Sequence, residues 1–388
     1  MPSRSRRIKK LGLFLPKTNP FYLGMFWAIK RGLEQAGIEV SGWTELLDER
    51  SLLTFCREFK PDAVFEMNRS RRQIPWFPKH IVHIGWIVDL GSRDQNEFGD
   101  SEILYFFNRD WLGHYTVPHS GFVDWLPPAF CPTINSPKKQ QILSDFSFVG
   151  HISNPWDDKE YSRIVYKDDT TSITFKEIEF LFSEYWNSTR TFTTSYLAIE
   201  TNQSLNPAIK QNIIKSLQSD PILKYDTHCR LVRMYNRQRL INCCLGFSNS
   251  LRLYGTNWHR WPIYAPYYRS FIEDPRELTT IFQTSAINLH EGVPLHMRVF
   301  ECLGSGGFLM YFIPQGVNFA ASQMHELLEE GTHYMAVAES DFEESASYVL
   351  KNFSYRDSVI KSATQLVHAE HTWRDRVHKI LQDCRSVL

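Results

Sequence analysis

The chain has 388 residues, enough for two domains that each bury their own core, and its 43 basic and 43 acidic residues leave a formal net charge of zero. That balance excludes a general nucleic-acid binder, so no nucleic-acid partner is expected. The seven cysteines form no C-x-x-C pair, which fits a reduced, cytoplasmic compartment, and no apolar run approaches the ~18 residues of a membrane span.

The first ten residues are basic and read as a solvated end, because the apolar run behind them is too short for a signal segment. Leu11 to Leu15 reads as a first strand and Tyr22 to Ala36 as an amphipathic helix stopped at Gly37. Ile38 to Trp43 follows as a strand, Leu46 to Phe59 as a helix, Asp62 to Phe65 as a third strand and Ile81 to Val88 as a fourth. Strands and helices alternating in this way predict a parallel sheet covered on both faces. No G-x-G-x-x-G is present in this half, which argues against a dinucleotide there.

Asp89 ends the fourth apolar run, where a strand's carboxyl end would meet a ligand. Asp89 or His83 is the expected general base, with His114 and His119 as lesser options; a turn or helix-cap role is the structural alternative for Asp89. From Leu126 the composition turns to proline, serine and lysine, which marks a linker at about 129–145 after a first domain at 1–128. A second domain at 146–370 opens with Phe146 to Val149. Its polar, helix-prone stretch at about 154–244 reads as an insertion that either caps a cleft or fills space. Leu251 to Tyr254 is a strand leading into Gly255-Thr256-Asn257, a small polar loop suited to a base or a diphosphate. Asp274-Pro275-Arg276-Glu277 signals a helix start, and the last helices are expected at Tyr355 to Ala369 and Thr372 to Leu381.

The most informative stretch runs from Ser285 to Phe312. Ala286 to His290 is an apolar strand, Glu291 to Pro294 a loop, and Leu295 to Leu303 a helix that three glycines end before a strand at Phe308 to Phe312. At about 100° per residue the apolar side chains of that helix share one arc, leaving Arg298 and Glu301 together on the other. The loop through Gly292, Val293 and His296 stands at a helix N-terminus, where unpaired amides attract phosphate. Arg298 offers charge to that phosphate and Glu301 an acceptor for a ribose diol, unless the two simply pair along the helix. A metal held by His290 and His296 is not expected, since no third ligand stands at ligand spacing.

Asn288, Arg298, Phe300, Glu301, Leu303, Gly306, Gly307, Phe308 and Leu309 resemble the donor-site signature of GT-B glycosyltransferases, in the group 1 branch that includes CgeB-like spore maturation proteins. FSFVG at 146–150, LYGTNW at 253–258, Trp86 to Asp89 and the terminal His371-Thr372-Trp373-Arg374-Asp375-Arg376 are similar to further motifs of that family. The resemblance covers most of the second half and implies a GT-B fold: two facing Rossmann-like domains, with residues 371–388 returning to the first. It also implies that Glu301 holds the ribose and that Glu291 meets sugar hydroxyls, although these glutamates stand ten positions apart where related enzymes have eight.

The expected reaction is transfer of a sugar from a nucleotide-diphosphate donor to a hydroxyl acceptor, with no metal or other cofactor. Three rivals share the pattern. They are a sugar-nucleotide epimerase, a non-catalytic CgeB-like structural or sporulation-associated protein, and a modifier of DNA that would need a local basic groove.

Overall fold

The structure, a computed structural model, describes residues 7–91, 93–119, 121–132, 140–189, 196–292, 295–313 and 323–387. Its first sheet contains β1 (Lys10–Phe14), β2 (Glu39–Trp43), β3 (Ala63–Met67), β4 (Val82–Ile87), β5 (Ile103–Phe106) and β6 (Phe122–Trp125), all parallel, in the order β2-β1-β3-β4-β5-β6. β3, β4 and β5 are buried along their whole length, as central strands covered by helices on both faces must be. Helices α1 (Pro20–Gln35), α2 (Glu49–Phe59) and α3 (Arg109–Gly113) connect β1 to β2, β2 to β3 and β5 to β6, and the other two connections hold only single 3-10 turns, Arg71–Gln73 and Gln95–Glu97. Local chemistry sets where they start: Asn19 accepts from the Tyr22 amide ahead of Pro20, and Asp48 accepts from the Ser51 amide.

The second sheet holds β7 (Ser144–Val149). After it come α4 (Asp158–Tyr161), an antiparallel pair β8 (Ile164–Lys167) and β9 (Ser172–Thr174), α5 (Phe175–Thr189), α6 (Leu197–Thr201), α7 (Pro207–Ser219), α8 (Pro221–Tyr225) and α9 (Leu231–Phe247). Next are β10 (Leu251–Tyr254), β11 (Tyr268–Ser270), α10 (Pro275–Thr284), β12 (Ser285–His290), α11 (Met297–Gly304), β13 (Leu309–Phe312) and β14 (Met335–Val337). Helices α12 (Phe342–Lys351), α13 (Phe353–Glu370) and α14 (Trp373–Val387) close the chain. The sheet order is β11-β10-β7-β12-β13-β14, again all parallel. In each sheet the order of strand addition reverses once, between β1 and β3 in the first and between β7 and β12 in the second. Ligands of doubly wound folds sit beyond the strand ends at such switch points.

The stretch read as an insertion is part of the second domain's core. Phe182, Trp186, Ile199, Ile213, Leu217 and Leu231 pack with Phe146, Phe148 and Ile287 in one cluster. Nor is the predicted linker free of structure at its ends, for Phe130 is fully buried and β7 already begins at Ser144. Phe130 bridges to Thr372, and its ring lies where a side chain at Gly304 would have to go.

Helix α14 packs on the first domain. Tyr105 donates to Asp383 at 2.6 Å, Lys379 reaches Asp124 at 2.5 Å, and Val377 fills the space over Gly32 of α1. It continues past the predicted Leu381 because Cys384 is buried in this contact. No helix among the described residues is long and apolar enough to cross a membrane.

Candidate functional site

The carboxyl ends of the two sheets face one another. The ring of Phe107, just beyond β5, lies 6.5 Å from that of His296, and the Arg298 guanidinium lies 5.6 Å from the ring of Phe21 at the start of α1. At the switch point of the second sheet the loops after β7 and β12 meet helix α9, and there the charged groups gather.

Glu291, its side chain only 3 % exposed, accepts from Arg237 Nε at 2.5 Å. Arg237 projects from α9 over the ring of Phe148. Its Nη1 is buried with no hydrogen-bond partner, and burial lowers the guanidinium's pKa while Glu291 opposes that shift. One turn earlier, Arg233 Nη1 lies 2.8 Å from His151 Nε2, so this nitrogen is the acceptor of a neutral ring. His151 is pushed down to about 4 by lost hydration and by Arg237 and Arg233. His296 caps α11, its Nδ1 accepting from the Arg298 amide at 3.3 Å. Burial, then His290, Arg298 and Arg237, hold it neutral well below the ordinary histidine range, which leaves Nε2 as a donor.

Arg298 and Glu301 form an ion pair at 2.5 Å along α11, with the glutamate side chain 13 % exposed. Glu301 lines a crevice between the domains with Phe21, Gly24, Met25, Met297 and Pro275. The crevice has a volume of about 30 Å³, space for about one water.

Several expected roles change. Glu291 does not present a free carboxylate to sugar hydroxyls; it holds Arg237. Gly255 has φ of 119° and a side chain there would meet the Gly150 carbonyl, while the Asn257 side-chain Nδ2 donates to Ile152 O at 2.9 Å. Trp258 Nε1 donates to Gly150 O at 2.7 Å, so Gly255 and Asn257 brace the loop after β7 and only Thr256 is exposed. Gly292, at φ of 83°, gives its carbonyl to the Tyr311 hydroxyl. Val293 lies outside the described residues.

His83 cannot act as a base on an acceptor. It is fully buried near the amino end of β4, with Nε2 at 3.1 Å from Glu66 and Nδ1 at 2.9 Å from Ser101. His119 stands at the opposite edge of the sheet from the cleft, beside Asp100 and Arg72. His114 is exposed at the end of α3. Asp89 is exposed at the cleft end of β4, its amide held by Asn68 Oδ1. Its charge reaches Tyr22 of α1, whose hydroxyl is raised by burial and then by Asp89.

Sequence reasoning missed Arg233, Arg237 and His151. The signal was there as R-M-Y-N-R, two arginines one turn apart, in a stretch read only as helical insertion. Asn288 proves structural, accepting from Ser147 and donating to Phe282 O and Phe308 O inside the core. The terminal motif is structural too, since Arg376 donates to Pro127 O and Pro128 O and so fastens the returning helix. Among the described residues no three histidine, cysteine or carboxylate groups come together as a metal site.

Two six-stranded parallel sheets whose carboxyl edges oppose each other, with the last helix crossing back, define the GT-B fold of glycosyltransferases. AviGT4, a glycosyltransferase involved in avilamycin A biosynthesis, shares this fold at a TM-score of 0.52 and 12 % identity, with 98 % of each chain covered. Sucrose-phosphate synthase from Thermosynechococcus elongatus aligns at 9 % identity and a TM-score of 0.49 over 96 % of this chain and 98 % of its own. Anabaena HepE in complex with UDP-glucose aligns at 10 % identity and 0.48 over 98 % and 100 %. Residues 233–382 match a family described as glycosyl transferase-like, a match that runs from Arg233 into the returning helix. Comparison with curated proteins gave no match.

Proposed function

We propose that the chain is a glycosyltransferase that moves a sugar from a nucleotide diphosphate to a hydroxyl of an acceptor entering from the first domain, and that it belongs to the CgeB-like branch. The observation that carries this reading is Arg237 Nη1, a buried cationic donor without a partner at the switch point of the second sheet. A diphosphate oxygen would supply the missing acceptor, with Arg233 and the His296 Nε2 proton close by. The R-x-F-E-x-L-x-x-G-G-F-L string at 298–309 supports the branch.

In the reaction the bond between the sugar's anomeric carbon and the diphosphate oxygen breaks, and the electron pair leaves with the diphosphate. The acceptor oxygen bonds to that carbon, and Asp89 takes its proton. Charge grows on the leaving group, and fixed guanidinium groups stabilise it there without any need for a metal. The Arg298–Glu301 pair separates as the donor enters, Glu301 turning to the ribose hydroxyls and Arg298 to phosphate.

Thermal unfolding with UDP, GDP, ADP and dTDP is the direct test. At least one should raise the melting temperature of the native protein; if none does, the donor-site reading fails. With that nucleotide's sugar and an acceptor, Asp89→Asn should lower release of free diphosphate ~100-fold or more while leaving the nucleotide-induced thermal shift intact. Unchanged turnover in this variant moves the base elsewhere.

A further inference from the structure

Helices α8 and α9 form one continuous rod, because residues 226–230 between them make a wider π turn rather than a break. Along one side of the rod stand Ile222, Tyr225, Cys229, Arg233 and Arg237, spaced three residues and then four, four and four. In an unbroken α-helix each four-residue step drifts about 40° around the axis, and such a stripe would soon wind away. A π turn holds more than four residues, so the step across it falls short of a full turn and offsets the drift. The bulge therefore keeps the outer residues in line with the two arginines.

The stripe changes character along its length. Its inner end is the anion site, where Arg237 meets Glu291 and Arg233 meets His151. Cys229 stands halfway along with much of its surface open; partial loss of hydration raises its thiol, Arg233 lowers it, and Asp89 on the other wall of the cleft raises it again. At the outer end, at about 1.5 Å per residue, Tyr225 stands about 18 Å from Arg237 and is 44 % exposed, and Ile222 about 22 Å away and 63 % exposed. Two side chains are far too small a patch for a stable protein interface, which needs on the order of 1,000 Å². They suit one apolar body seated beyond the reacting groups.

We infer that Tyr225 and Ile222 form an acceptor subsite on the second domain's wall of the cleft: the acceptor enters with its hydroxyl at Asp89 of the first domain and carries that hydroxyl on an apolar, ring-bearing body that lies along this stripe. This rests on the glycosyltransferase reading and adds the class of acceptor. Tyr225 offers a rigid aromatic face with a polar tip and Ile222 a purely apolar edge, a pair that favours a flat apolar group over a fully hydroxylated one. Both are specificity residues, remote from the reacting atoms.

The test compares two probes with the same hydroxyls, 4-nitrophenyl β-D-glucoside and methyl β-D-glucoside, by isothermal titration into the full chain saturated with whichever nucleotide raises its melting temperature. The aryl glucoside should bind about tenfold or more tightly in the native protein. Ile222→Ser with Tyr225→Ser should abolish this preference, with the nucleotide-induced thermal shift unchanged. Phe180→Ser, which removes an equally exposed apolar side chain on α5, should retain it. Equal binding of the two probes, or a preference that survives in the double variant, overturns the inference while leaving the donor site standing. If no nucleotide shifts the melting temperature, the donor-site reading and this inference fall together.

Discussion

The Arg237–Glu291 pair allows a structural role to be separated from a ligand-binding one. Both side chains are largely buried, so Arg237→Leu leaves the Glu291 carboxylate without its partner in a site that is 3 % exposed. Breaking a buried pair from one side costs about 3–5 kcal/mol, which at about 2–4 °C per kcal/mol for a domain of this size lowers the melting temperature by roughly 6–20 °C. Replacing both residues, Arg237→Leu with Glu291→Leu, removes the stranded charge and should restore most of that loss. It does not restore the guanidinium. A charge-assisted hydrogen bond to phosphate contributes about 1.5–3 kcal/mol, so nucleotide affinity in the double variant should stay roughly 10- to 150-fold below that of the native protein. Differential scanning fluorimetry across a nucleotide titration reads both quantities from the same samples. A double variant that regains stability and also shows the full nucleotide shift would refute the assignment of Arg237 to the donor.

Glu301→Ala should cost little stability, since an i,i+3 pair on a helix contributes about 0.2–0.5 kcal/mol, yet weaken nucleotide-diphosphate binding about tenfold; equal affinity by titration calorimetry would leave only the pairing role. Gly255→Ala places a side chain at φ of 119° against the Gly150 carbonyl. Strain and overlap together should cost about 2–5 kcal/mol, visible as a lower urea midpoint with an unchanged slope. Acid should loosen the returning helix through His371, which burial and then Arg376 push down to about 4. Above pH ~6.5 the ring is neutral in both folded and unfolded chains; between ~6.5 and about 4 only the unfolded chain takes up the proton, so stability falls as pH falls and levels off below that range. The loss through this group reaches about 3 kcal/mol, and His371→Gln should flatten the corresponding step in melting temperature against pH.

Much of the architecture follows from local rules. Alternating apolar runs and helical periods predict the parallel α/β units, and Asn19-Pro20, Asp48 and Asp274-Pro275 start helices in the structure because a cap and its amides lie within one turn. The strand–loop–helix–strand unit at 285–312 is legible for the same reason, to within a residue or two at each strand and the helix's end. β5 and β6, four residues each, escape the sequence reading, although Asp100-Ser101 and Gly121 stand before them as turn signals. His83 shows the limit: lying in a strand near the candidate base Asp89, it gives no sign that Glu66 and Ser101 enclose it.

The sequence by itself determined the class of fold, the order of its units and the face that Arg298 and Glu301 share, because each depends on neighbours within a turn or on a repeating period. Tertiary structure alone decided that Arg237 would meet Glu291 across 54 positions and that Gly255 and Asn257 would brace a backbone loop. It likewise decided that Phe130 and Arg376 would fasten the last helix to the rest of the chain. Periodicity tells which side of an element is buried but carries no information about which distant element will cover it, and the charged cluster at the cleft consists of such long-range meetings.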